Sequence, residues 1–334
     1  MTLRPKSGVA LWLPPHSKMF YAPGMFIINS IAPIFLLIAL GAALRHTQLF
    51  PDAFFKGLNK LVFWFALPAL LVNRISIAQL ELEAISKIVL LLSLGTLLSL
   101  GIAWGVARLL KLPPQTAGSF IQGSFRGNGA FVGLPVIVYT LGSLDPRAEM
   151  LGTVVLAPLV ILFNVLGVSV LVHHSKCKSG ISESIHTFFA QLFRNPLIIS
   201  CAIGLALNLL DMALPLFLSR PLDALGNAAL PLILISIGSS LGFERLHGAA
   251  SPTLIAALIK VAVTPAIGFL LAGLFHLDTT ERMIAIFYLA CPAAGMSYVM
   301  AEVMGNDGPL AGRIVALSTL LSAITLPIII AIGL

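Results

Sequence analysis

Residues 124–135 read SFRGNGAFVGLP and lie in the middle of an apolar segment. Three glycines, an asparagine and a proline fall within nine consecutive residues of this stretch. A continuous helix would lose about 1 kcal/mol at each glycine and about 3 kcal/mol at the proline. Close helix packing is an alternative explanation for Gly133. It does not explain Arg126 and Asn128, because burying a charged side chain in the membrane costs too much free energy for a residue that only fills space. The stretch therefore predicts a helix that is interrupted near residue 129.

A second interruption is predicted at residues 290–298, which read ACPAAGMSY. Pro292 lies near the centre of another apolar segment, and Gly295 follows three residues later. Where a helix unwinds, its freed N–H and C=O groups face the space that the break creates. The starts of the continuing half-helices carry partial positive charge and favour an anion. The two interruptions therefore predict a site for an anion.

The composition predicts that both interruptions lie in a membrane. Of 334 residues, 58% are hydrophobic and 10% are charged, whereas soluble domains have about 45–50% and about 25%. The mean hydropathy is +1.01. These values exclude a soluble globular protein and a disordered one. Long continuous apolar runs also exclude an outer-membrane barrel, so we expect an all-α polytopic membrane protein.

Charge and cysteine content exclude other classes of partner. The formal net charge is +7, but the basic residues are spread through short connections. Because no basic patch with interleaved aromatic residues occurs, we expect no nucleic acid partner. The three cysteines are far apart and lack the spacing of a zinc site or a disulfide framework. No metal and no cofactor are therefore expected.

Apolar windows of about 20 residues predict ten membrane-spanning helices. Their limits are 26–44, 57–75, 85–107, 117–141, 150–172, 195–214, 222–242, 251–275, 282–304 and 310–333. The longest polar connection, 173–194, separates a first five-helix unit at 26–172 from a second at 195–334. Residues 1–24 contain four prolines and a short apolar patch. They predict either a disordered tail or a translation start at Met25.

The two halves of the chain match each other at an offset of 163 residues. Chance predicts about half a match among the available prolines, but three occur, together with two matched glycines. The matched positions are Pro33 and Pro196, Pro68 and Pro231, Pro146 and Pro309, Gly41 and Gly204, and Gly142 and Gly305. Because each half has five spans, the second half enters the membrane from the opposite side. The chain is therefore predicted to contain two inverted five-helix repeats with broken fourth and ninth helices, the layout of many secondary transporters.

Residues around the two breaks are the candidate substrate-binding residues. Asn128 can donate to and accept from a carboxylate. Arg126 adds a guanidinium group, which effectively never deprotonates and therefore stays positively charged. Ser297 and Tyr298 offer hydroxyl groups. The full set is Arg126, Asn128, Gly129, Pro135, Pro292, Gly295, Ser297 and Tyr298.

Other polar residues within the spans are expected to be structural. Lys260 lies about eight residues inside the eighth span, from which its side chain can extend to the membrane interface. Asn164 and the hydroxyl residues of the last span are expected to form hydrogen bonds between helices. Glu302 lies near the end of the ninth span, where solvent or a basic partner is expected to satisfy it.

The stretch from Asn128 to Pro135 resembles the fourth-helix crossover motif of the auxin efflux carrier family. Three further stretches resemble the first, ninth and last helices of that family: 26–46, 297–301 and 314–327. The resemblance covers the chain from about residue 26 to its end. Bacterial members of the family are often described as malonate or malate permeases.

The resemblance implies ten helices in a scaffold domain and a transport domain, with crossing fourth and ninth helices. It also implies efflux or uptake of organic anions, and it makes Asn128 the crossover asparagine and Pro135 the crossover proline. Plant members have a second crossover proline near the position of Ser297. Because this chain has Pro292 five residues earlier, the second break is expected to differ in geometry. The long cytosolic loop of many plant members is also absent.

These features predict a secondary transporter, or permease, that moves small organic anions such as mono- or dicarboxylates across the inner membrane by alternating access. A sodium-coupled symporter of the bile-acid type shares the inverted layout, so a proton or sodium ion is the candidate coupling ion. A non-transporting membrane sensor is the alternative from another class. The sequence contains no Walker, HExxH or GxSxG motif, so we expect neither ATP drive nor an enzyme. A homodimer is a candidate assembly.

The basic residues of the connections predict the orientation of the protein. Ten lie on the side of the 173–194 connection, and five lie on the other side, or eight with residues 1–24. The ten are Arg45, Lys56, Lys60, Arg108, Lys111, Lys176, Lys178, Arg194, Arg245 and Arg313. This side is therefore predicted to be cytoplasmic, and both termini are predicted to face outward.

Cysteine labelling tests this orientation. A membrane-impermeant thiol reagent added to intact cells should not label Ser179→Cys, because residue 179 is predicted to be cytoplasmic. Labelling after the cells are permeabilised is the positive control. Strong labelling in intact cells would contradict the predicted orientation.

Overall fold

The computed structural model describes residues 23–175, 194–240 and 251–334. Residues 1–22 of the predicted tail therefore lie outside the described residues. So does most of the 173–194 connection, including Ser179. Within the described ranges the chain is helical apart from its connections and one isolated backbone pairing.

Twelve helical segments follow one another in the described ranges. They are α1 (Pro23–His46), α2 (Asp52–Ser76), α3 (Leu82–Leu109), α4 (Pro114–Phe125), α5 (Gly129–Leu141), α6 (Arg147–His174), α7 (Pro196–Leu209), α8 (Leu216–Ser240), α9 (Ser251–Ala272), α10 (Thr279–Ala290), α11 (Met296–Val303) and α12 (Gly308–Gly333). Three of them contain a π-helical turn, at Val62–Ala66, Gly129–Gly133 and Ile259–Val263.

Six of these helices are long and apolar enough to cross a membrane: α2, α3, α6, α8, α9 and α12. Their outward faces carry large apolar side chains. On α3, for example, four leucines are between 38% and 50% exposed: Leu90, Leu94, Leu97 and Leu98. A membrane protein built from helices is thereby confirmed. The ten-helix inverted repeat stays a prediction.

Local sequence explains where several helices begin. Pro114 and Pro196 each open a helix, where a missing N–H costs nothing and the fixed φ is already helical. The Asp278 side chain accepts a hydrogen bond from the Glu281 N–H at 2.8 Å, and Glu281 accepts from the Asp278 N–H at 3.1 Å. This reciprocal capping box satisfies two backbone donors at the start of α10.

Four helices, α1, α2, α7 and α8, pack together and are called the four-helix bundle below. Helix α1 lies so close to α8 that a Cβ atom on Gly41 would overlap the carbonyl oxygen of Ile235. A Cβ atom on Gly238 would likewise overlap the carbonyl oxygen of Ile38. Small residues permit this close approach of two backbones, as is typical of helix contacts in membranes.

The remaining segments, α3–α6 and α9–α12, form a second unit, called the eight-segment bundle below. Its centre is α10, where every residue from Met283 to Ala290 is buried. A hydrogen bond of 2.7 Å between the Ser99 and Thr264 hydroxyl groups joins α3 to α9 inside this bundle. The two bundles also contact each other, and a salt bridge of 2.8 Å joins Arg74 on α2 to Glu149 on α6.

An ion-pair cluster ties three connections of the eight-segment bundle together. Arg147 lies 3.0 Å from Glu81, 3.1 Å from Asp145 and 2.9 Å from Asp278. Burial opposes the ionisation of Asp145. However, hydrogen bonds from Arg147 and the Thr280 hydroxyl group outweigh burial and lower the pKa of Asp145. This carboxylate is therefore ionised at neutral pH, and it forms an ion pair with Arg147.

Candidate functional site

The two predicted interruptions are present, and they contact each other. Helix α4 ends at Phe125 and α10 ends at Ala290, and extended backbone follows each of them. The Asn128 N–H donates to the Pro292 carbonyl at 2.8 Å, and the Ala294 N–H donates to the Arg126 carbonyl at 3.0 Å. The extended segments are thus paired antiparallel at Gly127 and Ala293. This pairing is called the crossover below.

Gly127 is required at the crossover because other groups leave no room for a side chain. A Cβ atom there would lie 2.8 Å from the Cys291 sulfur and 3.2 Å from the Lys260 ammonium nitrogen. Real Cβ atoms essentially never approach a heavy atom within 3.0 Å. The glycine of the sequence motif therefore leaves room for the Cys291 and Lys260 side chains, rather than permitting an unusual backbone angle.

Helix α12 holds one strand of the crossover in place. The Ala293 N–H donates to the Ser318 hydroxyl oxygen at 3.0 Å, and that hydroxyl group donates to the Val315 carbonyl at 3.1 Å. Both Ala293 and Ser318 are fully buried. The hydroxyl group therefore satisfies a backbone donor that water cannot reach.

Helices α5 and α11 begin close to the crossover, at Gly129 and Met296. The first N–H groups of a helix have no partner within it. In α5, the Asn128 carbonyl accepts only from Val132 and Gly133, at 2.9 and 3.1 Å. The side-chain amide of Asn128 forms no capping hydrogen bond at the start of α5. In α11, the Ser297 and Tyr298 N–H groups already donate to the Ala294 and Gly295 carbonyls, at 2.9 and 3.3 Å, so these two groups are not available to a ligand.

A cavity of about 720 Å³ lies between the crossover and the four-helix bundle. Its walls come from α2 and α8 on one side, and from the crossover, α11 and α12 on the other. It extends to the connection between α1 and α2, where three basic residues line it with one acidic residue: Arg45, Lys56, Lys60 and Asp52. Aromatic residues line its middle: Phe55, Phe63, Trp64 and Phe131.

Three of the eight predicted site residues line this cavity: Asn128, Gly295 and Tyr298. A Cβ atom on Gly295 would have no atom within 4 Å, so the cavity is open at that position. Four others are buried and do not line it: Gly129, Pro135, Pro292 and Ser297. Of these, Pro292 contributes its carbonyl group to the crossover.

Arg126, the remaining predicted residue, lies behind the crossover and does not line the cavity. Its side chain is buried between α4, α6 and α11, where it donates to Asn164 at 2.9 Å and also contacts the Met300 sulfur. No carboxylate among the described residues forms an ion pair with it. The expected interhelical role of Asn164 is confirmed.

Lys260 does not extend to the membrane interface, and this expectation was wrong. The residue is fully buried, and its ammonium group donates to the Leu289 carbonyl at 2.6 Å. That carbonyl belongs to the last turn of α10, where helix carbonyls lack partners and a cation is favoured. Lys260 therefore stabilises the end of a half-helix at the crossover, beside Gly127.

The basic residues of the cavity were also missed by sequence reasoning. Lys56 and Lys60 counted only as charges that orient the chain. The spacing of polar residues could have indicated their role. Asp52, Lys56, Asn59 and Lys60 recur at helical intervals at the start of α2 and share one face.

Paired broken helices beside a cavity between two helical units define a class of membrane transporters. The profile of the membrane transport protein family matches residues 26–175 and 178–330 of this chain. The chain therefore belongs to the membrane transport protein family. This assignment confirms the resemblance to auxin efflux carriers, but it does not extend to the malonate and malate permeases.

Two archaeal proteins are similar to the chain over most of its length. An uncharacterized transporter from Methanocaldococcus jannaschii is 24% identical over 308 residues, covering 90% of this chain and 97% of the relative. An uncharacterized transporter from Methanothermobacter thermautotrophicus is 26% identical over 307 residues, covering 90% and 96%. Both relatives are named as transporters without a stated substrate.

The role of Ser318 at the crossover is testable. Ser318→Ala should lower the free energy of unfolding by about 1–3 kcal/mol, because the buried Ala293 N–H loses its acceptor. Ser322→Ala is a matched control on the same helix, since its buried hydroxyl group bonds only to the Thr319 carbonyl one turn away. Thermal unfolding of the purified variants measures the difference. Equal melting temperatures for the two variants would contradict the role of Ser318.

Proposed function

We propose that this protein is a secondary transporter that moves small organic anions, such as mono- or dicarboxylates, by alternating access. The observation that carries the proposal is the cavity at the crossover. There, the Asn128 amide and the N-terminal ends of α5 and α11 meet basic residues of α2. Backbone donors, an amide and positive charges together suit a carboxylate.

Different parts of the cavity suit different parts of such a substrate. The Asn128 amide and the half-helix N-termini bind one carboxylate group. Lys56 and Lys60 attract the anion and can pair with a second carboxylate group. The aromatic residues of the cavity contact the hydrocarbon portion. A site of this size with few polar groups in an apolar wall is typical of small-molecule binding.

Two buried cations behind the crossover add to the preference for anions. Arg126 and Lys260 are both buried, and neither forms an ion pair with a described carboxylate. Charges in a low-dielectric surrounding act over longer distances than charges in water. Both cations therefore raise the potential of the cavity, which favours carboxylates and repels amines.

We further propose that the ten predicted spans form two inverted repeats. Equivalent contacts support this. Gly41 on α1 packs against Ile235 of α8, and Gly204 on α7 packs against Leu71 and Ile75 of α2. Adding 163 to the residue numbers of α1 and α2 leads to α7 and α8. The contact of α1 with α8 therefore corresponds to the contact of α7 with α2. The antiparallel meeting of the two breaks is also the arrangement that inverted repeats produce.

Movement of the two bundles relative to each other would provide alternating access. The cavity lies between the bundles, so a shift at this interface changes which side of the membrane it reaches. The excess of basic residues favours a cytoplasmic position for the connection between α1 and α2. On this proposal, the arrangement is an inward-facing state in the inner membrane, with both termini outside. A proton or sodium ion is the candidate coupling ion.

The central test concerns Asn128. Asn128→Ala should weaken carboxylate binding by about 1–3 kcal/mol, or roughly 5- to 150-fold, because a hydrogen bond to a charged group is lost. Ligand-induced thermal stabilisation of purified protein measures the affinity for a panel of mono- and dicarboxylates. Asn227→Ala is the matched control, since this exposed amide lies on α8 and does not line the cavity.

Two outcomes of this screen are decisive. Unchanged affinity in Asn128→Ala would remove Asn128 from the binding site. A carboxylate that stabilises the protein only when sodium is present would favour the sodium-coupled alternative, and sodium-independent stabilisation would contradict it.

The charge of Arg126 is tested separately. Arg126→Gln keeps a donor for Asn164 but removes the positive charge, so carboxylate affinity should fall although the residue does not line the cavity. The loss is expected to be larger for dicarboxylates than for monocarboxylates, because the energy of an anion in the field of Arg126 increases with the charge of the anion. The melting temperature without ligand reports the structural effect. Full carboxylate affinity in well-folded Arg126→Gln would contradict a role for this charge.

A further inference from the structure

A second, basic pocket lies away from the crossover, where α3 and α6 end and α4 begins. Its volume is about 310 Å³, and its polar lining consists of basic groups: Arg108, Lys111, His173 and His174. None of the described residues that line it carries a carboxylate. Arg108 and Lys111 form no salt bridge with a described residue. Two permanent positive charges and two imidazoles thus share one concave surface.

Trp104 organises these groups. Its ring centroid lies 5.4 Å from the ring of His173 and 5.4 Å from the ring of His174. The Arg108 guanidinium carbon lies 5.9 Å from the same centroid, a cation–π contact. Nδ1 of His174 bonds to the Val170 carbonyl at 2.9 Å, which fixes the orientation of that ring. Arg108 and the two imidazoles are therefore held in place beside Trp104.

The surroundings of the pocket are those of a membrane interface. Leu109 and Leu110 follow Arg108 directly and are 82% and 39% exposed. Both α3 and α6 have the length and composition to cross a membrane, and the pocket lies at their ends. Tryptophan beside basic residues is typical of the level of lipid headgroups.

We propose that this pocket binds the phosphate headgroup of an anionic phospholipid. The basic groups would contact the phosphate, and the exposed leucines would lie against the acyl chains. A free phosphate ion shares the headgroup chemistry, but it would gain nothing from the adjacent apolar surface. In the orientation proposed above, this end of α3 lies in the cytoplasm, where the membrane surface is anionic. The proposal is independent of the substrate of the crossover cavity.

The experiment compares two variants of equal charge. Arg108→Gln/Lys111→Gln removes two exposed charges at the pocket, and Arg220→Gln/Lys87→Gln removes two charges elsewhere. Each purified full-length protein is titrated in neutral detergent with phosphatidylglycerol, phosphatidylcholine or inorganic phosphate. The melting temperature is followed in each titration.

The wild-type protein and the control variant should gain stability from phosphatidylglycerol but not from phosphatidylcholine. The pocket variant should lose at least half of this gain and require about a fivefold higher lipid concentration. An equal gain in both variants would overturn the proposal, because the lipid would then bind elsewhere. A full gain with inorganic phosphate alone would also overturn it, since the site would then take a soluble anion.

Discussion

The antiparallel pairing of two interrupted helices is the constraint on which the rest of the structure depends. An unwound helix inside an apolar bundle exposes backbone donors and acceptors that must find partners. Here each break supplies partners to the other, through the Asn128 N–H to Pro292 and the Ala294 N–H to Arg126. Ser318 supplies one more acceptor. The pairing permits two half-helix N-termini to face a cavity within the protein.

The ends of the half-helices explain the placement of charge. At the crossover, N-termini favour an anion and C-termini favour a cation. The protein provides its own cation for α10, since Lys260 is buried against the Leu289 carbonyl. The N-terminal ends of α5 and α11 border a cavity that has lysines at its other end. The C-terminal end of α10 is thus satisfied within the protein, and the proposed anion site lies on the side of the crossover that faces the cavity.

The sequence predicted the positions of the helices and of the two breaks well, because apolar windows, glycine and proline act on the chain locally. The window 85–107 lies within α3 (Leu82–Leu109), and the breaks occur where glycine and proline make helix costly. Side-chain direction was not predictable in the same way. The partner of Arg126 is 38 residues away and that of Lys260 is 29 residues away. Such contacts depend on how distant helices pack, so a buried structural cation could not be distinguished from one that lines the site.

Counterflow into liposomes that contain the purified protein tests the central claim most directly. Vesicles loaded with an unlabelled mono- or dicarboxylate would be diluted into the same radiolabelled compound, over a panel of such acids. The account predicts protein-dependent, saturable accumulation of at least one labelled carboxylate, inhibited by other carboxylates and not by amines. Absence of counterflow for every carboxylate in the panel, or equal inhibition by amines, would contradict it.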